Sequence, residues 1–559
     1  MNSKPLPGII VFAPVAVAAF LYLVALSATD LWTPDEPRYA QVAREMIESG
    51  DYIHLQVNGQ PYTEKPPLFF WLVAGAARIA GGVDQYAVRL PSVLAALGTI
   101  TLLIAFVWRR LGGRGALLAG MILCASPQFF WLARSGHIDM LLAFLVTAGL
   151  LAFYRWHETR RPLHLLVLYG CLGLAALAKG PVGMLLPALA IVPFLAMTRQ
   201  LALIRRMHPL IGLAAATAAG LAWYVPAMSG STQLEPGSVV SRQILGRLFH
   251  PDSHGVSIWY WPFYQVIALA WGLLPWSLLL PWAGAWAWRR RDAKPQALFL
   301  LCWAGSILAF FTLIASKREI YILPMYAAAA GLVAAWLEQA AAESTWKPLR
   351  GATFVYGGAL AAIAAAAVVI GPGYFRREFP DAVNGFDHAL VAAWFGMVAV
   401  LVVLTLLARH KDTVIAASAA ASVFTLTFVA AGVLPWVDTY KSPRGICSLI
   451  VQLKEPASRI AMWGRPREEY IFYTRTRLGS VRTPEELRRF FDTDTRMFCL
   501  IQEREYNSLG ELPFRVFVVT KQRVSSRVML LLCNQETPAP GGAARRPAPA
   551  DAALAPAAN

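Results

Sequence analysis

The chain has 559 residues, of which 57% are hydrophobic and 15% are charged, and its mean hydropathy is +0.49. Soluble domains carry about a quarter charged residues, so this composition excludes an ordinary soluble protein and indicates an integral membrane protein. The net charge is +17, but the basic residues lie mainly in short loops between apolar segments. That pattern argues against nucleic-acid binding and is typical of the cytoplasmic loops of membrane proteins, where such residues also contact anionic lipids.

Thirteen apolar segments are predicted to cross the bilayer, because about 20 apolar residues span its hydrocarbon core. The segments lie near residues 9–26, 89–108, 115–134, 138–156, 163–178, 180–197, 209–228, 263–288, 296–315, 320–338, 351–371, 388–408 and 413–434. The first is interpreted as a retained helix rather than a cleaved signal. The short run 68–80 follows two prolines and is interpreted as a helix lying at the membrane interface.

The distribution of basic residues orients these segments. With thirteen crossings, six short loops on one side carry seventeen Lys and Arg residues. The positive-inside rule places that side in the cytoplasm. The opposite side then receives the loop 30–67, several charged residues at the ends of spans, and everything after residue 440.

The loop 30–67 is the most acidic stretch beside any apolar segment, with seven carboxylates. Asp35 stands at a predicted helix start, where a carboxylate caps free N–H groups, so a purely structural role for it stays open. Glu64 and Lys65 precede Pro66 and Pro67, which stiffen the chain and present Lys65 at the membrane surface. The alternative for Glu64 and Lys65 is a local ion pair of little energetic value.

The region 441–536 is polar and mixed in composition, which predicts a small α/β domain. Strands are predicted at 459–464, 468–474, 497–502, 514–520 and 528–533, and a helix is predicted at 483–491. The tail 537–559 consists largely of Ala, Pro and Gly and is predicted to be disordered.

Several motifs, taken in chain order, resemble those of a known enzyme class. They are Asp-Glu-x-x-Tyr at 35–39, Glu-Lys-Pro-Pro at 64–67, Arg-Leu-Pro-Ser at 89–92, Asp-Met at 139–140, LAKGPVG at 177–183, LLPWSLLLP at 273–281 and SKREIYILP at 316–324. The set is similar to the C-type membrane glycosyltransferases (GT-C fold), within their branch related to protein O-mannosyltransferases. The family resembled most closely is the bacterial lipid A aminoarabinose transferases.

The resemblance implies a mainly α, polytopic membrane protein with about 13 transmembrane helices and a small periplasmic α/β C-terminal domain. Residues 1–440 would form the transmembrane glycosyltransferase domain, with a periplasmic catalytic loop at 30–88. Residues 441–536 would form the periplasmic domain. The expected location is the bacterial inner membrane, with the active site facing the periplasm.

The resemblance also implies a reaction. The enzyme would move 4-amino-4-deoxy-L-arabinose from undecaprenyl phosphate to lipid A phosphate groups, a lipopolysaccharide modification that implies resistance to polymyxin and cationic peptides. The expected partners are this donor, lipid A and membrane lipids, and the expected state is a monomer. Transfer of another sugar to lipid A and O-mannosylation of protein remain alternatives. A transporter is the alternative of another class, although the charges gather at span ends rather than in mid-span.

The chemistry selects candidate residues, because a phosphate leaving group needs cations and hydrogen-bond donors. The predicted catalytic residues are Asp35, Asp139 and Lys65. The predicted substrate-binding residues are Arg38, Tyr39, Tyr62, Arg242, Arg247, Lys317, Arg318, Tyr321 and Tyr326. No cofactor is expected to be required, although Glu64, His250 and His254 are of the types that bind a divalent metal such as zinc.

Overall fold

The computed structural model describes residues 7–229, 263–342, 347–371, 373, 388–407 and 410–536. The chain forms two compact units. The first, here called the membrane unit, comprises Met1–Thr29, Val42–Gln56 and Pro61–Trp436, and the second, the C-terminal unit, comprises Asp30–Gln41, Val57–Gln60 and Val437–Asn559. The predicted site residues Arg242, Arg247, His250 and His254 and the predicted disordered tail lie outside the described residues.

The membrane unit is helical. Its described helices are Gly8–Val11, Ala13–Leu23, Leu68–Ala80, Gln85–Cys124, Pro127–Ala133, Ile138–Thr159, Pro162–Lys179, Val182–Met197, Leu203–Arg206, Pro209–Ser229, Tyr264–Gly272, Trp276–Leu279, Leu280–Arg289, Pro295–Leu313, Glu319–Met325, Tyr326–Ala342, Lys347–Val369, His388–Leu407, Lys411–Phe428 and Val429–Val433. The helices Asp35–Ser49 and Leu434–Lys441 contain residues of both units. Short strands β1 (Gln56–Val57) and β2 (Gln60–Pro61) form a two-stranded sheet.

The lengths and apolar composition of these helices confirm a multi-pass membrane protein. Within the described residues, eight helices are long and apolar enough to cross a membrane, and a ninth candidate is a pair bent by 115° at residues 273–275. A helix lies in each of the thirteen segments predicted from sequence. Several, such as Val182–Met197, are shorter than a full crossing, so the count of thirteen stays a prediction. The run 68–80 is a helix of 13 residues, Leu68–Ala80, as predicted.

The helix Gln85–Cys124 contains all of the predicted span 89–108 and the first part of the predicted span 115–134. Gly112 interrupts it with φ 76° and ψ −178°, a conformation in which a side chain would be strained. Asp84 caps the first half, accepting a hydrogen bond from the Ala87 N–H at 2.8 Å. The break at Gly112 lets the chain turn between two apolar segments without a long loop.

Two buried arginines cap the C-terminal end of helix Ala13–Leu23. The Arg134 guanidinium donates to the carbonyl oxygens of Leu21, Tyr22, Val24 and Ala25 at 2.6–3.2 Å. Positive charge at a helix C-terminus satisfies orphan carbonyls and complements the helix dipole.

The same helix end is held by Arg89, the arginine of the Arg-Leu-Pro-Ser motif. Its Nη1 donates to the carbonyl oxygens of Leu26 and Thr29 at 2.6 and 3.0 Å, and to the Thr29 hydroxyl at 3.0 Å. Arg89 is 3% exposed. The motif is therefore explained by packing at the end of the first span, immediately before the acidic loop begins.

Replacing Arg134 by methionine is expected to destabilise the protein by about 3 kcal/mol, because buried carbonyl groups lose their donors. Thermal unfolding of the purified protein in detergent should show a lower Tm. Arg109→Met removes an exposed arginine and serves as the control, with an expected Tm close to wild type. Equal Tm values for Arg134→Met and wild type would contradict the capping role.

The C-terminal unit contains a five-stranded mixed sheet. Its strands are β3 (Ile460–Trp463), β4 (Leu478–Val481), β5 (Phe498–Gln502), β6 (Phe517–Val524) and β7 (Arg527–Cys533), in the order β4-β3-β5-β7-β6. β3 pairs in parallel with β4 and β5, and β7 pairs antiparallel with β5 and β6. Its helices are Arg444–Leu453, Glu468–Thr474, Pro484–Phe491 and Glu503–Ser508.

Alternating residues of the strands fill two apolar cores. Ile460, Phe498 and Leu531 belong to a core shared with helices Arg444–Leu453 and Glu468–Thr474. Ala461, Cys499 and Leu530, each one position away, belong to a core shared with helix Pro484–Phe491. Both sheet faces are covered by helices, as the unbroken apolar runs of β5 and β7 require.

The predicted α/β class is correct, but one predicted strand is a helix and two strands differ from the prediction. The segment 468–474 is a helix rather than a strand, with Glu468 and Glu469 in its first turn. Its run of buried apolar residues fits either structure by pattern alone. Strand β6 begins at Phe517 rather than at 514, and β4 was missed. The predicted helix 483–491 is present as Pro484–Phe491, with the Thr483 hydroxyl accepting from the Glu486 N–H at 3.2 Å.

Candidate functional site

The predicted site residues divide between the two units. The C-terminal unit holds Asp35, Arg38 and Tyr39. The membrane unit holds Tyr62, Glu64, Lys65, Asp139, Lys317, Arg318, Tyr321 and Tyr326. Each unit therefore presents its own group of candidate side chains.

Asp35 and Glu36 are both buried, and their carboxylates serve different partners. Asp35 is the first residue of helix Asp35–Ser49, and its Oδ1 accepts a hydrogen bond from the Tyr39 hydroxyl at 3.4 Å. Glu36 Oε2 accepts from the backbone N–H of Trp32 at 3.0 Å and closes the preceding turn. Tyr39 lies one helical turn after Asp35, so the Asp-Glu-x-x-Tyr spacing places aspartate and tyrosine on one face.

Arg38 makes an ion pair within the C-terminal unit. Its Nε lies 3.0 Å from Glu468 Oε1, and both side chains are largely buried. A guanidinium has five donors in a planar fork, so Arg38 can hold Glu468 with one edge and a sugar or phosphate oxygen with another. Its predicted substrate-binding role stays a prediction, and Glu468 is a partner that sequence reasoning missed.

Asp139 lies in a buried charge cluster of the membrane unit. Its carboxylate forms a short ion pair with the Lys179 ammonium, and the His137 Nδ1 lies 3.8 Å from Asp139 Oδ2. The Lys179 Nζ lies 4.6 Å from the centroid of the Tyr321 ring, a favourable cation–π position. The structure thus brings Asp139 and Tyr321 together through Lys179, which the LAKGPVG motif signalled but which was not selected as a site residue.

The ion pair changes the interpretation of Asp139. A carboxylate held by an ammonium at the end of helix Pro162–Lys179 is stabilised in its charged form and is a weak proton acceptor. The geometry therefore favours a positioning role for Asp139, in which it fixes the Lys179 ammonium and, with it, Tyr321. Direct proton transfer by Asp139 is disfavoured.

Lys317 is 7% exposed and is fixed at the end of helix Pro295–Leu313. Its ammonium donates to the carbonyl oxygens of Phe311 and Thr312 at 3.0 and 2.5 Å. The Arg318 side chain is exposed, whereas its carbonyl oxygen accepts from the Gln265 amide at 3.1 Å. The segment after this helix is thus held by its backbone and by Lys317.

Tyr326 lies inside the membrane unit, and its predicted substrate-binding role stays a prediction. It is fully buried, and its hydroxyl donates a short hydrogen bond to Gln128 Oε1. The Gln128 amide in turn donates to the Glu319 carbonyl oxygen at 2.7 Å. The Tyr326 hydroxyl and the Gln128 amide thus form a chain of hydrogen bonds that ends on the backbone of Glu319.

The segment before Pro66 and Pro67 is partly buried. Tyr62 is buried, its N–H donates to the Leu55 carbonyl oxygen at 2.7 Å, and its ring packs edge-on against Phe70 at 5.8 Å. Lys65 is half-buried and Glu64 is exposed. Among the described residues, no group of three His, Cys, Asp or Glu side chains has a metal-binding arrangement. The predicted metal site depends on His250 and His254, which lie outside that part of the chain, so it stays a prediction.

Burial lowers the pKa of Lys317 to about 8, which gives a pH-dependent prediction. The ammonium is present below pH 8 and is lost as the pH rises above it. If this charge attracts a phosphate, kcat/KM for an anionic donor should fall between pH 7 and 9, because kcat/KM reports the free enzyme. Lys317→Arg keeps its charge in this range and should flatten the profile, whereas an unchanged profile would argue against Lys317 as the titrating group.

Comparison with known proteins places these features in context. Residues 64–224 match the family model described as dolichyl-phosphate-mannose-protein mannosyltransferase. The chain is 31% identical over 321 residues to an undecaprenyl phosphate-alpha-4-amino-4-deoxy-L-arabinose arabinosyl transferase of Aeromonas salmonicida, covering 56% of this chain and 57% of the relative. It is 28% identical to the protein of the same name from Pectobacterium atrosepticum, covering 64% of each chain. The chain thus spans less than two thirds of the length of these curated relatives.

Solved structures show the same fold along nearly the whole chain. The crystal structure of ArnT from Cupriavidus metallidurans bound to undecaprenyl phosphate superposes with a TM-score of 0.79 at 23% identity, covering 95% of this chain and 99% of that one. The apo structure of the same protein gives a TM-score of 0.77. The chain is therefore similar in sequence, over more than half of its length, to proteins named as undecaprenyl phosphate-aminoarabinose arabinosyl transferases, and it has the fold of the ArnT structures, a resemblance that its motifs predict.

Proposed function

We propose that this protein transfers 4-amino-4-deoxy-L-arabinose from undecaprenyl phosphate to a phosphate group of lipid A. The observation that carries the proposal is the agreement of two independent comparisons. The relatives in sequence are named as aminoarabinose transferases, and the structure with the same fold along nearly its full length is an ArnT bound to undecaprenyl phosphate.

The chemistry of the described residues fits a glycosyl phosphate donor. In the reaction, the bond between the sugar C1 and the donor phosphate oxygen breaks, and that electron pair stays on undecaprenyl phosphate. A lipid A phosphate oxygen forms the new bond to C1. Cations stabilise the charge that develops on the leaving phosphate, and we assign Lys65, Lys317 and Arg318 to this work, together with Arg242 and Arg247.

Because the proposed acceptor is a phosphate, the role that we assign to Asp35 is not that of a general base. A phosphate is already anionic at neutral pH and needs no general base, whereas a hydroxyl acceptor does. We therefore assign Asp35 to orienting the acceptor or to pairing with the 4-ammonium of the sugar, next to Tyr39. Arg38 and Tyr62 are also assigned to substrate binding, each within its own unit.

The proposed setting is the bacterial inner membrane, with the site facing the periplasm. Support comes from the seventeen basic residues in the six short loops of the opposite side. The proposed partners are the lipid-linked donor and lipid A, and the proposed state is a monomer.

Lipid A mass spectrometry tests the proposal. A bacterium that lacks its own aminoarabinose transferase but makes the donor would express this chain, with an empty vector as control. A mass gain matching a pentosamine on phosphate, together with polymyxin resistance, supports the proposal. A mass gain of lipid A that matches a hexose, a hexosamine or a uronic acid would show that another sugar is transferred instead of aminoarabinose.

Protein O-mannosylation is the second candidate, because residues 64–224 match a protein mannosyltransferase family model. Unchanged lipid A combined with new mannose on periplasmic proteins in the same cells would favour it. Intact-mass measurement of secreted proteins distinguishes the two outcomes.

We expect transfer by the purified protein to survive exhaustive chelation, because fixed cationic side chains can stabilise the leaving phosphate without a metal. Activity would be measured before and after treatment with EDTA and a zinc-selective chelator, and again after zinc is restored. Loss of activity that zinc restores would instead support a site built by Glu64, His250 and His254.

A further inference from the structure

The acidic loop is held at its beginning by residues at the end of the last helix that is long and apolar enough to cross a membrane, and directly after it. The Asp30 N–H and the Trp32 indole N–H both donate to Asp438 Oδ1, at 3.0 and 2.6 Å. The Asp30 carboxylate accepts a short hydrogen bond from the Ser442 hydroxyl and lies 3.3 Å from the Arg444 guanidinium. These contacts join positions more than 400 residues apart in the chain.

Two contacts extend this attachment to helix Glu468–Thr474 of the C-terminal domain. The Leu31 N–H donates to the Tyr473 hydroxyl at 2.7 Å. Arg38, three residues after Asp35, pairs with Glu468 at 3.0 Å. Because Leu31 and Arg38 lie on either side of Asp35 in the chain, this first attachment fixes the backbone on both sides of Asp35.

The loop is held a second time, at the turn between β1 and β2. The Asn58 side chain donates to the Leu478 carbonyl oxygen and accepts from the Leu478 N–H, both at 2.9 Å. Leu478 begins β4, the outermost strand of the sheet. The amide thus satisfies both backbone groups of an exposed sheet edge, as a neighbouring strand would.

The backbone conformation of the turn between β1 and β2 allows it to lie close to the edge of the sheet. Asn58 and Gly59 have φ of 56° and 71°, the left-handed pair expected of a type I′ hairpin turn. A Cβ on Gly59 would lie 2.9 Å from the Arg477 guanidinium carbon. Gly59 therefore lets the turn lie against Arg477 while the Asn58 amide reaches Leu478.

We propose that the C-terminal domain positions the catalytic loop, and that Glu468 and Asn58 are the positioning residues of its two attachments. Glu468 acts through Arg38 on the start of the helix that carries Asp35, and Asn58 fixes the return of the loop toward Lys65. The domain thereby limits the loop to the conformation in which Asp35 is ready for the acceptor. The inference rests on the proposed function in one respect, which is that Asp35 is the carboxylate that contacts the acceptor or the sugar.

Steady-state kinetics of the purified full-length protein test the proposal. Asn58→Gly keeps the left-handed turn but removes both hydrogen bonds to Leu478, and Glu468→Gln keeps the side-chain shape but removes the charge that pairs with Arg38. We expect each to lower kcat by about tenfold, because small displacements of a catalytic group are costly, with little change in KM for the donor.

A matched control lies on the same strand. Ser480→Ala removes a hydrogen bond of 2.7 Å to the Gly464 carbonyl oxygen, which lies inside the domain, and should keep wild-type kcat. Glu468→Asp shortens the side chain but keeps its charge and should recover part of the loss. Wild-type kcat in both Asn58→Gly and Glu468→Gln would overturn the proposal, as would an equal loss in Ser480→Ala.

The outcomes separate this inference from the proposed function. If wild-type protein transfers a different sugar, the proposed function fails, and the same variants are compared with that sugar. If wild-type protein transfers aminoarabinose and the two variants match it, the positioning role fails alone. Thermal unfolding of each variant accompanies the kinetics, so that a loss caused by unfolding is recognised by a lower Tm and counts against the positioning role.

Discussion

Replacement of Asp35 by alanine is expected to lower transfer to lipid A by about 100-fold, since loss of a group that orients a substrate can misplace the reacting atoms at a cost of this size. Asp35→Asn should lose nearly as much, because the amide keeps the shape but cannot pair with the 4-ammonium of the sugar. The buried position of Asp35 and its contact with Tyr39 hold the carboxylate in one orientation. The measurement is kcat/KM with the lipid-linked donor and lipid A.

The neighbouring carboxylate supplies a matched control for Asp35. Glu36→Gln retains an oxygen that accepts from the Trp32 N–H, so its activity should stay within about threefold of wild type, as expected for loss of a charge outside the reaction. Near-normal transfer by both Asp35→Asn and Asp35→Ala would show that Asp35 is a structural helix-start residue. Low transfer activity in Asp35→Ala together with wild-type activity in Asp35→Asn would show that the shape of the side chain, rather than its charge, is required.

Replacement of Lys65 by methionine is expected to lower kcat by about 100-fold, the usual loss when one donor to a developing anion is removed. Methionine keeps the length and apolar character of the half-buried stem but lacks the ammonium. Lys65→Arg keeps the positive charge and should retain more activity than Lys65→Met. Single-turnover transfer from labelled donor would separate the chemical step from product release.

A cation elsewhere in the chain controls for net charge. Lys347 is exposed at the start of helix Lys347–Val369, on the predicted cytoplasmic side, and Lys347→Met should keep wild-type kcat. A Lys65→Met enzyme with unchanged kcat and a raised KM would assign Lys65 to donor binding in the ground state alone. No change in either constant would remove Lys65 from the site.

Composition and periodicity predicted the membrane class, the helical segments and the α/β character of the C-terminal region. These features are local, since an apolar run long enough to span a bilayer or an alternation of buried residues can be read from a short window. The same locality explains the errors. The segment 468–474 carries contiguous buried residues that suit a helix and a strand equally, so the pattern predicts a strand where the structure has a helix.

Motifs in chain order also predicted the family resemblance, which the comparisons confirm. They did not predict which partner each charged residue has. Asp139 was selected as catalytic, whereas the structure pairs it with Lys179. Arg89 lay in a recognised motif without an assigned role, and the structure shows it capping the end of the first span together with Arg134.

The sequence by itself determined that this is a multi-pass membrane protein with an acidic loop at 30–67, because hydropathy, charge and motif spacing are properties of neighbouring residues. Only the tertiary structure decided that this loop is attached to the C-terminal domain through Asp438, Glu468 and Leu478. Those contacts join residues about 400 positions apart, and no local pattern encodes the pairing of Arg38 with Glu468 or of Asn58 with a strand edge. Such pairings arise when packing of the whole chain brings a buried charge or an open backbone group to the partner that satisfies it.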